Sequence, residues 1–168
     1  MLGEIELASY PVEVILDDYL VRGEIQPRGD LLTYINDRNW EFVALRNCEL
    51  FPIAKDSRVN AISQALIVVN KHHLCAMSVL DEAQVNEIRL HESDRSLICY
   101  INQFAFQGKV HVHSEAPDED MLDERQEYYA LSNASIFPIR PISAAPKQKV
   151  PLLIFKRDRI QAYHVRPV

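Results

Sequence analysis

The sequence predicts an all-β protein made of two duplicated small antiparallel β-barrels, each with one short helical segment. Two observations support this fold class. Four blocks of sequence recur in the same order at an offset of 83 to 86 residues, which is typical of a folding unit that was copied and fused. Within each block, apolar and polar residues alternate with the period of two that half-buried strands show.

The repeat is clearest where "EFVALRNCELFPI" at 41 to 53 matches "EYYALSNASIFPI" at 127 to 139. The other matching blocks are "EIEL" with "EIRL", "VEVIL" and "YLVRGEIQ" with "LICYI" and "FAFQGKVH", and "ALIVVNKHHLCAMSV" with "PLLIFKRDRIQAYHV". Chance does not produce four collinear blocks of this kind. The prediction is a first β unit over 1–80 and a second over 81–168, with 80–86 as their junction.

The predicted elements follow the blocks in order. "VEVIL" and "YLVRGEIQ" form a hairpin across Asp17-Asp18, and their counterparts form one across Asn102-Gln103. "RGDLLTYINDRN" and "PDEDMLDERQ" have acids near the start and apolar residues three or four apart, which predicts one or two helical turns. The last block of each copy predicts two strands joined by a tight polar turn.

Gly23 and Gly108 occupy the same place in the two copies, inside a predicted strand. Glycine weakens a strand, so its recurrence indicates a sharp bend where a side chain would collide with a crossing strand. Strongly bent strands allow a small sheet to close into a barrel. The alternative is a pair of open sheets with a glycine bulge.

Composition indicates an ordinary globular protein, with 48% apolar and 25% charged residues and a net charge of −6. No run approaches the roughly 20 apolar residues that span a bilayer, and the first residues do not resemble a secretory signal. We therefore expect a cytoplasmic protein without a membrane partner. Cys48, Cys75 and Cys99 are odd in number and lack metal-ligand spacing, which predicts buried, reduced thiols.

Charge is unevenly distributed along the second half. Residues 115 to 127 contain seven acids and one base, whereas residues 140 to 168 contain seven bases and one acid. Such segments are usually solvated surface, and the alternative is a contact between subunits or with a partner. The negative net charge argues against indiscriminate nucleic-acid binding, which needs a basic field.

The order of blocks in the first copy resembles the Sm-like fold, in particular the bacterial RNA chaperone type. "VEVILDDYLVRGEI" is similar to its first hairpin, "EFVALRN" to its third strand and "VVNKHHLCAMSV" to its last hairpin. The resemblance covers about 60 residues of each copy. It implies units that pair strand to strand around a ring, so that a chain holding two units would form a dimer or trimer with four or six units.

The resemblance also implies an RNA site. In that family an aromatic residue at the start of the third strand, the polar residue before it and a Lys-His turn hold uridine-rich RNA. The matching positions are Phe42, Glu41, Lys71 and His72 in the first copy, and Tyr128 and Arg157 in the second. An aromatic face stacks on a base and a cation offsets phosphate charge. The alternatives are core aromatics at Phe42 and Tyr128, and a solvated turn at Lys71 and His72.

Signals for catalysis are weak. His111 and His113 share one face of a predicted strand near Glu115, which is a possible metal site, but their counterparts Gln26 and Arg28 cannot repeat it. The chain has no glycine-rich phosphate loop, nucleophile elbow or CxxC pair. We therefore expect no catalytic residues, metal or cofactor.

The functional hypothesis is a non-catalytic assembly or protein-interaction module, with a homo-oligomer or another protein as partner. The alternative is an RNA- or nucleic-acid-binding Sm-like protein.

Overall fold

The computed structural model describes residues 7–92, 94–112, 115–123 and 125–166. The first half contains β1 (Tyr10–Leu16), β2 (Tyr19–Ile25), α1 (Leu31–Asn36), β3 (Phe42–Pro52), β4 (Ile62–Asn70) and β5 (Leu74–Val79). The second half contains α2 (Glu82–Val85), β6 (Asp94–Tyr100), β7 (Phe104–His111), β8 (Tyr128–Pro138), β9 (Lys149–Lys156) and β10 (Ala162–Val165). The predicted all-β class is confirmed.

The strands described form one antiparallel sheet in the order β10-β6-β7-β8-β9-β5-β1-β2-β3-β4. The two halves use the same pairings at positions 85 or 86 residues apart. Equivalent pairs include Val12 with Gly23 and Leu97 with Gly108, and Phe42 with Asn70 and Tyr128 with Lys156. The two halves therefore have the same strand pairings. Descent from a duplicated unit and the division after residue 80 stay predictions.

The prediction of two closed barrels is wrong, because the sheet is single and open. Closure of the first half would require β4 to pair with β5, but β5 already pairs with β1 on one edge and with β9 on the other. In the second half β9 lies between β8 and β5, so β10 cannot pair with it. The alternative, a pair of open sheets with a glycine bulge, is right about the open edges and the bulge, but the two sheets are joined into one.

Helical content is also greater than the predicted single segment per unit. Helix α1 begins after Asp30, whose carboxylate accepts a hydrogen bond from the Thr33 N–H at 3.1 Å, and the acidic segment of the second half forms a 3₁₀ turn at Asp118–Asp120. Helix α2 lies at the predicted junction, and 3₁₀ turns at Lys71–His73 and Arg157–Arg159 connect the last two strands of each half. Among the described residues no helix is long and apolar enough to cross a membrane.

Each predicted bend is a β-bulge. Between Arg22 and Glu24 the register of β2 and β3 shifts, so that β3 has one extra residue there. Asn47 takes this position with φ of 51°, and Asn133 has φ of 50° at the equivalent place in β8. Asparagine is one of the few residues other than glycine that adopts this left-handed conformation readily.

The glycines opposite the bulges have no room for a side chain. A Cβ atom at Gly23 would lie 3.0 Å from both the Arg46 carbonyl oxygen and Cys48 Sγ. At Gly108 it would lie 2.9 Å from the Ser132 carbonyl oxygen. The backbone of the neighbouring strand therefore approaches the glycine directly.

The two hydrophobic clusters each centre on one half but take residues from the other. The first-half cluster includes Tyr128, Ala130, Leu152 and Ile154 of β8 and β9. The second-half cluster includes Ile15, Leu20, Ile53, Cys75 and Ala76 of the first half. The halves are therefore joined both by backbone pairing and by shared apolar packing.

Gly23→Val should lower the free energy of unfolding by about 2 to 3 kcal/mol, because a branched side chain overlaps the β3 backbone. Urea unfolding followed by circular dichroism measures this loss. Ser63→Val, at an exposed position of β4, is the control and should change stability by less than about 0.5 kcal/mol. Equal unfolding midpoints for Gly23→Val and the parent would contradict the close approach.

Candidate functional site

The two halves meet where β5 pairs antiparallel with β9, and from here on the junction means this strand pairing and not the connecting segment 80–86. Its register joins Ala76 to Phe155, Met77 to Ile154, Ser78 to Leu153 and Val79 to Leu152. Each of these side chains is buried, at 1% exposure or less. The chain thus contains one complete example of how a first-half strand and a second-half strand bury each other.

The sheet ends at two strands with one unpaired edge each, β4 and β10. By register, β4 in the first half is the equivalent of β9 in the second. Leu152 and Ile154 on β9 are 0% exposed, whereas the equivalent Leu66 and Val68 on β4 are 47% and 55% exposed. The same positions are therefore buried at the junction and open at the β4 end.

The β10 end shows the complementary difference. Strand β10 is the equivalent of β5, yet Ala162 is exposed where Ala76 is fully buried. Ile139, directly after β8, is 52% exposed, while the equivalent Ile53 is 0% exposed. The Ile53 carbonyl accepts a hydrogen bond from Ser143 N–H of the second half at 2.7 Å. Both ends of the sheet thus expose surfaces that the junction covers.

Tyr128, a predicted RNA-stacking residue, lies inside the junction and is fully buried. Tyr128 lies beyond the last residue pair of β8 with β7, so its backbone N–H and C=O bind the Asn36 side chain instead. The Asn36 amide oxygen accepts from Tyr128 N–H at 2.9 Å, and the amide nitrogen donates to the Tyr128 carbonyl at 3.2 Å. Lys71 Nζ lies 5.5 Å from the centre of the Tyr128 ring.

Lys71 is also buried, and its ammonium donates to the Asp37 carbonyl at 3.0 Å. Burial lowers the pKa of Lys71, Glu127 opposes this shift and Lys156 adds to it. Lys156 is buried as well and donates from Nζ to the Lys71 carbonyl at 2.8 Å. Both ammonium groups therefore donate to backbone carbonyl oxygens, which uses part of their capacity to donate to a phosphate.

The remaining predicted RNA residues lie apart. Phe42 is 53% exposed beside the β4 edge, and His72 is exposed at the turn after β4. Arg157 precedes β10, where it donates from a guanidinium NH₂ group to the Asp123 carbonyl at 3.1 Å. The structure brings Lys71 and Tyr128 together, whereas Phe42 begins β3 and Arg157 lies in the turn between β9 and β10. Their role in RNA binding stays a prediction.

Of the two histidines predicted as a metal site, His113 lies outside the described residues. His111 Nδ1 donates to the His91 carbonyl at 2.7 Å, so Nε2 accepts from the Ser132 hydroxyl. Both ring nitrogens are therefore engaged. Within the described ranges no three His, Cys, Asp or Glu side chains come together as metal ligands.

The three cysteines are buried and unpaired. Burial raises the pKa of Cys75 to about 11 and that of Cys99 to about 12, and it also raises the pKa of Cys48. Because the thiolate is the reactive form, these thiols are poor nucleophiles at neutral pH.

Sequence reasoning did not identify which strands form the open edges, although a signal was present. The run "ALIVV" in β4 is continuously apolar, which is typical of a strand covered on both faces. In the chain its Leu66 and Val68 side chains are exposed. A buried-type strand at the edge of a sheet indicates a missing neighbour.

Comparison with known proteins gives no assignment: no family model matches the sequence, and no curated protein or solved structure is significantly similar to it.

Asn36→Ala should destabilise the protein by about 2 to 4 kcal/mol, because it leaves two buried backbone groups of Tyr128 without partners. Asn39→Ala, at an exposed position of the same segment, is the matched control and should change stability little. Both losses are measured by urea unfolding. Equal effects of the two substitutions would show that the Asn36 bonds do not hold the junction.

Proposed function

We propose that this protein is a non-catalytic assembly module that forms homo-oligomers through the open edge of β4. The observation that carries the proposal is the contrast between equivalent positions: Leu152 and Ile154 are fully buried at the junction, while Leu66 and Val68 remain about half exposed. A strand of the same chemical character is covered in one half and uncovered in the other.

The backbone supports the same proposal. Strand β4 pairs only with β3 among the described strands, so its outer row of N–H and C=O groups is free to pair with another chain. Long apolar edge strands are aggregation hazards that natural proteins cover. Covering Leu66 and Val68 contributes about 1 kcal/mol each, in addition to the new backbone hydrogen bonds.

The ionisable groups near the junction favour a structural role over catalysis. Lys71 and Lys156 bind backbone carbonyls, and the carboxylate of Glu13 holds Arg22 Nε at 2.7 Å and Lys147 N–H at 2.8 Å. Each of these groups holds one segment of the chain against another.

Leu66→Lys should weaken self-association at least tenfold, since assembly would bury a charge in an apolar contact. Light scattering across a concentration series of parent and variant measures the change. We expect the parent to form oligomers at micromolar concentration and the variant to remain monomeric there.

Leu7→Lys is the matched control, because Leu7 is 41% exposed and lies before β1. It adds the same charge and should leave the oligomer intact. Urea unfolding of both variants should match the parent, which separates loss of assembly from loss of folding. A parent that is monomeric throughout the series would overturn the proposal.

Nucleic-acid binding is the second candidate, and the exposed ring of Phe42 favours it. Near the start of β3, a cleft of about 340 Å³ is lined by Trp40 and His72, by the carboxylates of Glu41 and Glu127, and by the cations Arg38, Lys71 and Lys156. The aromatic side chains suit base stacking and the three cations attract phosphate, whereas the two carboxylates repel a phosphate backbone.

Titration with fluorescent uridine-rich RNA at low salt separates the two candidates. We expect no saturable binding at micromolar protein, because the ammonium groups of Lys71 and Lys156 already donate to backbone carbonyls and the carboxylates of Glu41 and Glu127 line the same cleft. Binding that weakens steeply with salt, and that Phe42→Ala abolishes, would favour the nucleic-acid function instead.

A further inference from the structure

We infer that the strand which occupies the β4 edge is β10 of a second copy, antiparallel and in the register that β5 and β9 already use. This inference rests on the proposed assembly function and names the partner surface. Strand β4 is the equivalent of β9, and β10 is the equivalent of β5. The two unpaired edges are therefore the two sides of the junction, separated to opposite ends of one chain.

The register follows from the observed pairing. Equivalent residues of these strands are 86 positions apart, as Val79 and Val165 or Asn70 and Lys156 show. Adding this interval to each β5 residue number, and subtracting it from each β9 residue number, converts the observed pairs into the pairs expected between chains. The pairs are Ala162 with Val69, Tyr163 with Val68, His164 with Ile67 and Val165 with Leu66.

The turns beside the two edges repeat each other at the atomic level. Lys71 N–H donates to the Glu41 carbonyl at 2.9 Å, and its ammonium donates to the Asp37 carbonyl. Arg157 makes the equivalent contacts, from N–H to the Glu127 carbonyl at 2.7 Å and from the guanidinium to the Asp123 carbonyl. Arg157 thus takes the place of Lys71 in the second half.

This equivalence assigns Arg157 a partner ring. Lys71 lies over the Tyr128 ring across the junction, and Phe42 is the equivalent of Tyr128. In the contact between chains, Arg157 of one copy would lie over the exposed Phe42 ring of the next. Arg157 Nε is buried without a partner in the single chain, and a cation over an aromatic face is a favourable contact.

Pairing of β10 with β4 accounts for more of the exposed surface than pairing of β4 with β4 in a two-fold dimer. The two-fold arrangement covers Leu66 and Val68 but leaves the β10 edge and Ile139 open. The head-to-tail arrangement covers both ends, since each copy offers one edge of each kind. Heterologous contacts of this type continue from copy to copy, and they form a ring where the rotation between copies closes and an open filament where it does not.

Disulfide trapping tests the register. Val68→Cys and Tyr163→Cys are made as two separate single variants and mixed under mild oxidation. Residues directly opposite in antiparallel strands lie within the Cα separation that a disulfide needs. We expect a disulfide-linked dimer in the mixture on a non-reducing gel, at several-fold higher yield than with either variant alone.

The chain offers matched controls. The parent should not cross-link, because its three cysteines are buried with raised pKa values. Val68→Cys mixed with His164→Cys should cross-link poorly, since neighbouring strand positions point to opposite faces. Val68→Cys alone would cross-link efficiently only if two β4 edges met.

The outcomes separate this inference from the function on which it rests. Oligomers in light scattering without a link between residues 68 and 163 would overturn the β10 partner and leave assembly through β4 standing. Efficient cross-linking of Val68→Cys with itself would do the same and favour a two-fold dimer. Absence of any association by the parent chain would overturn both.

Discussion

The structure depends on β5, because both of its edges are used. It pairs with β1 of its own half and with β9 of the other half. A strand has only two edges, so this double pairing prevents β4 from returning to close the first half, and it prevents β10 from pairing with β9 in the second. The open sheet, the two shared hydrophobic clusters and the exposed ends all follow from that choice. A closed barrel would bury the edges of each half separately, whereas this sheet buries one edge of each half against the other.

Local sequence accounts for the hairpins and bends but not for which strands meet across the halves. Alternating residues around Asp17-Asp18, and glycine at 23 and 108, indicate the paired strands and their tight approach from positions close in the chain. The repeated Asn47 and Asn133 were a further local signal, since they take the left-handed bulge position. In contrast, "ALIVV" and "PLLIF" are equally apolar, and nothing within either run tells which is covered. Which run is covered depends on the strand that β5 pairs with, and that strand is β9. The two strands are far apart in sequence, and nothing in their residue patterns predicts that they pair.

The same limit applies to the predicted site residues. The resemblance placed a cation and an aromatic residue at matching positions in both halves, and the structure has them at matching positions. Their surroundings differ because the second half covers only one of the two sets. Lys71 is buried over Tyr128 with its ammonium bound to a carbonyl, while Phe42 is exposed. Burying a cation is unfavourable unless hydrogen bonds compensate. The Asp37 carbonyl provides such a bond to Lys71 within the first half. The Lys71 carbonyl accepts a bond from Lys156 of the second half, and this bond also helps to align the two halves.

The junction within the chain has polar contacts that a contact between chains would lack. Glu13, which is 3% exposed, binds Arg22 and the Lys147 N–H, but the equivalents of Glu13 and Arg22 are Ile98 and Gln107. Likewise Asn36, which satisfies the Tyr128 backbone, corresponds to Leu122 if the carbonyls of Asp37 and Asp123 are equivalent. The contact between chains therefore relies on strand pairing and apolar burial, and it also bears the entropic cost of association. It should accordingly be the weaker of the two, so that copies separate on dilution while each chain keeps its own halves together.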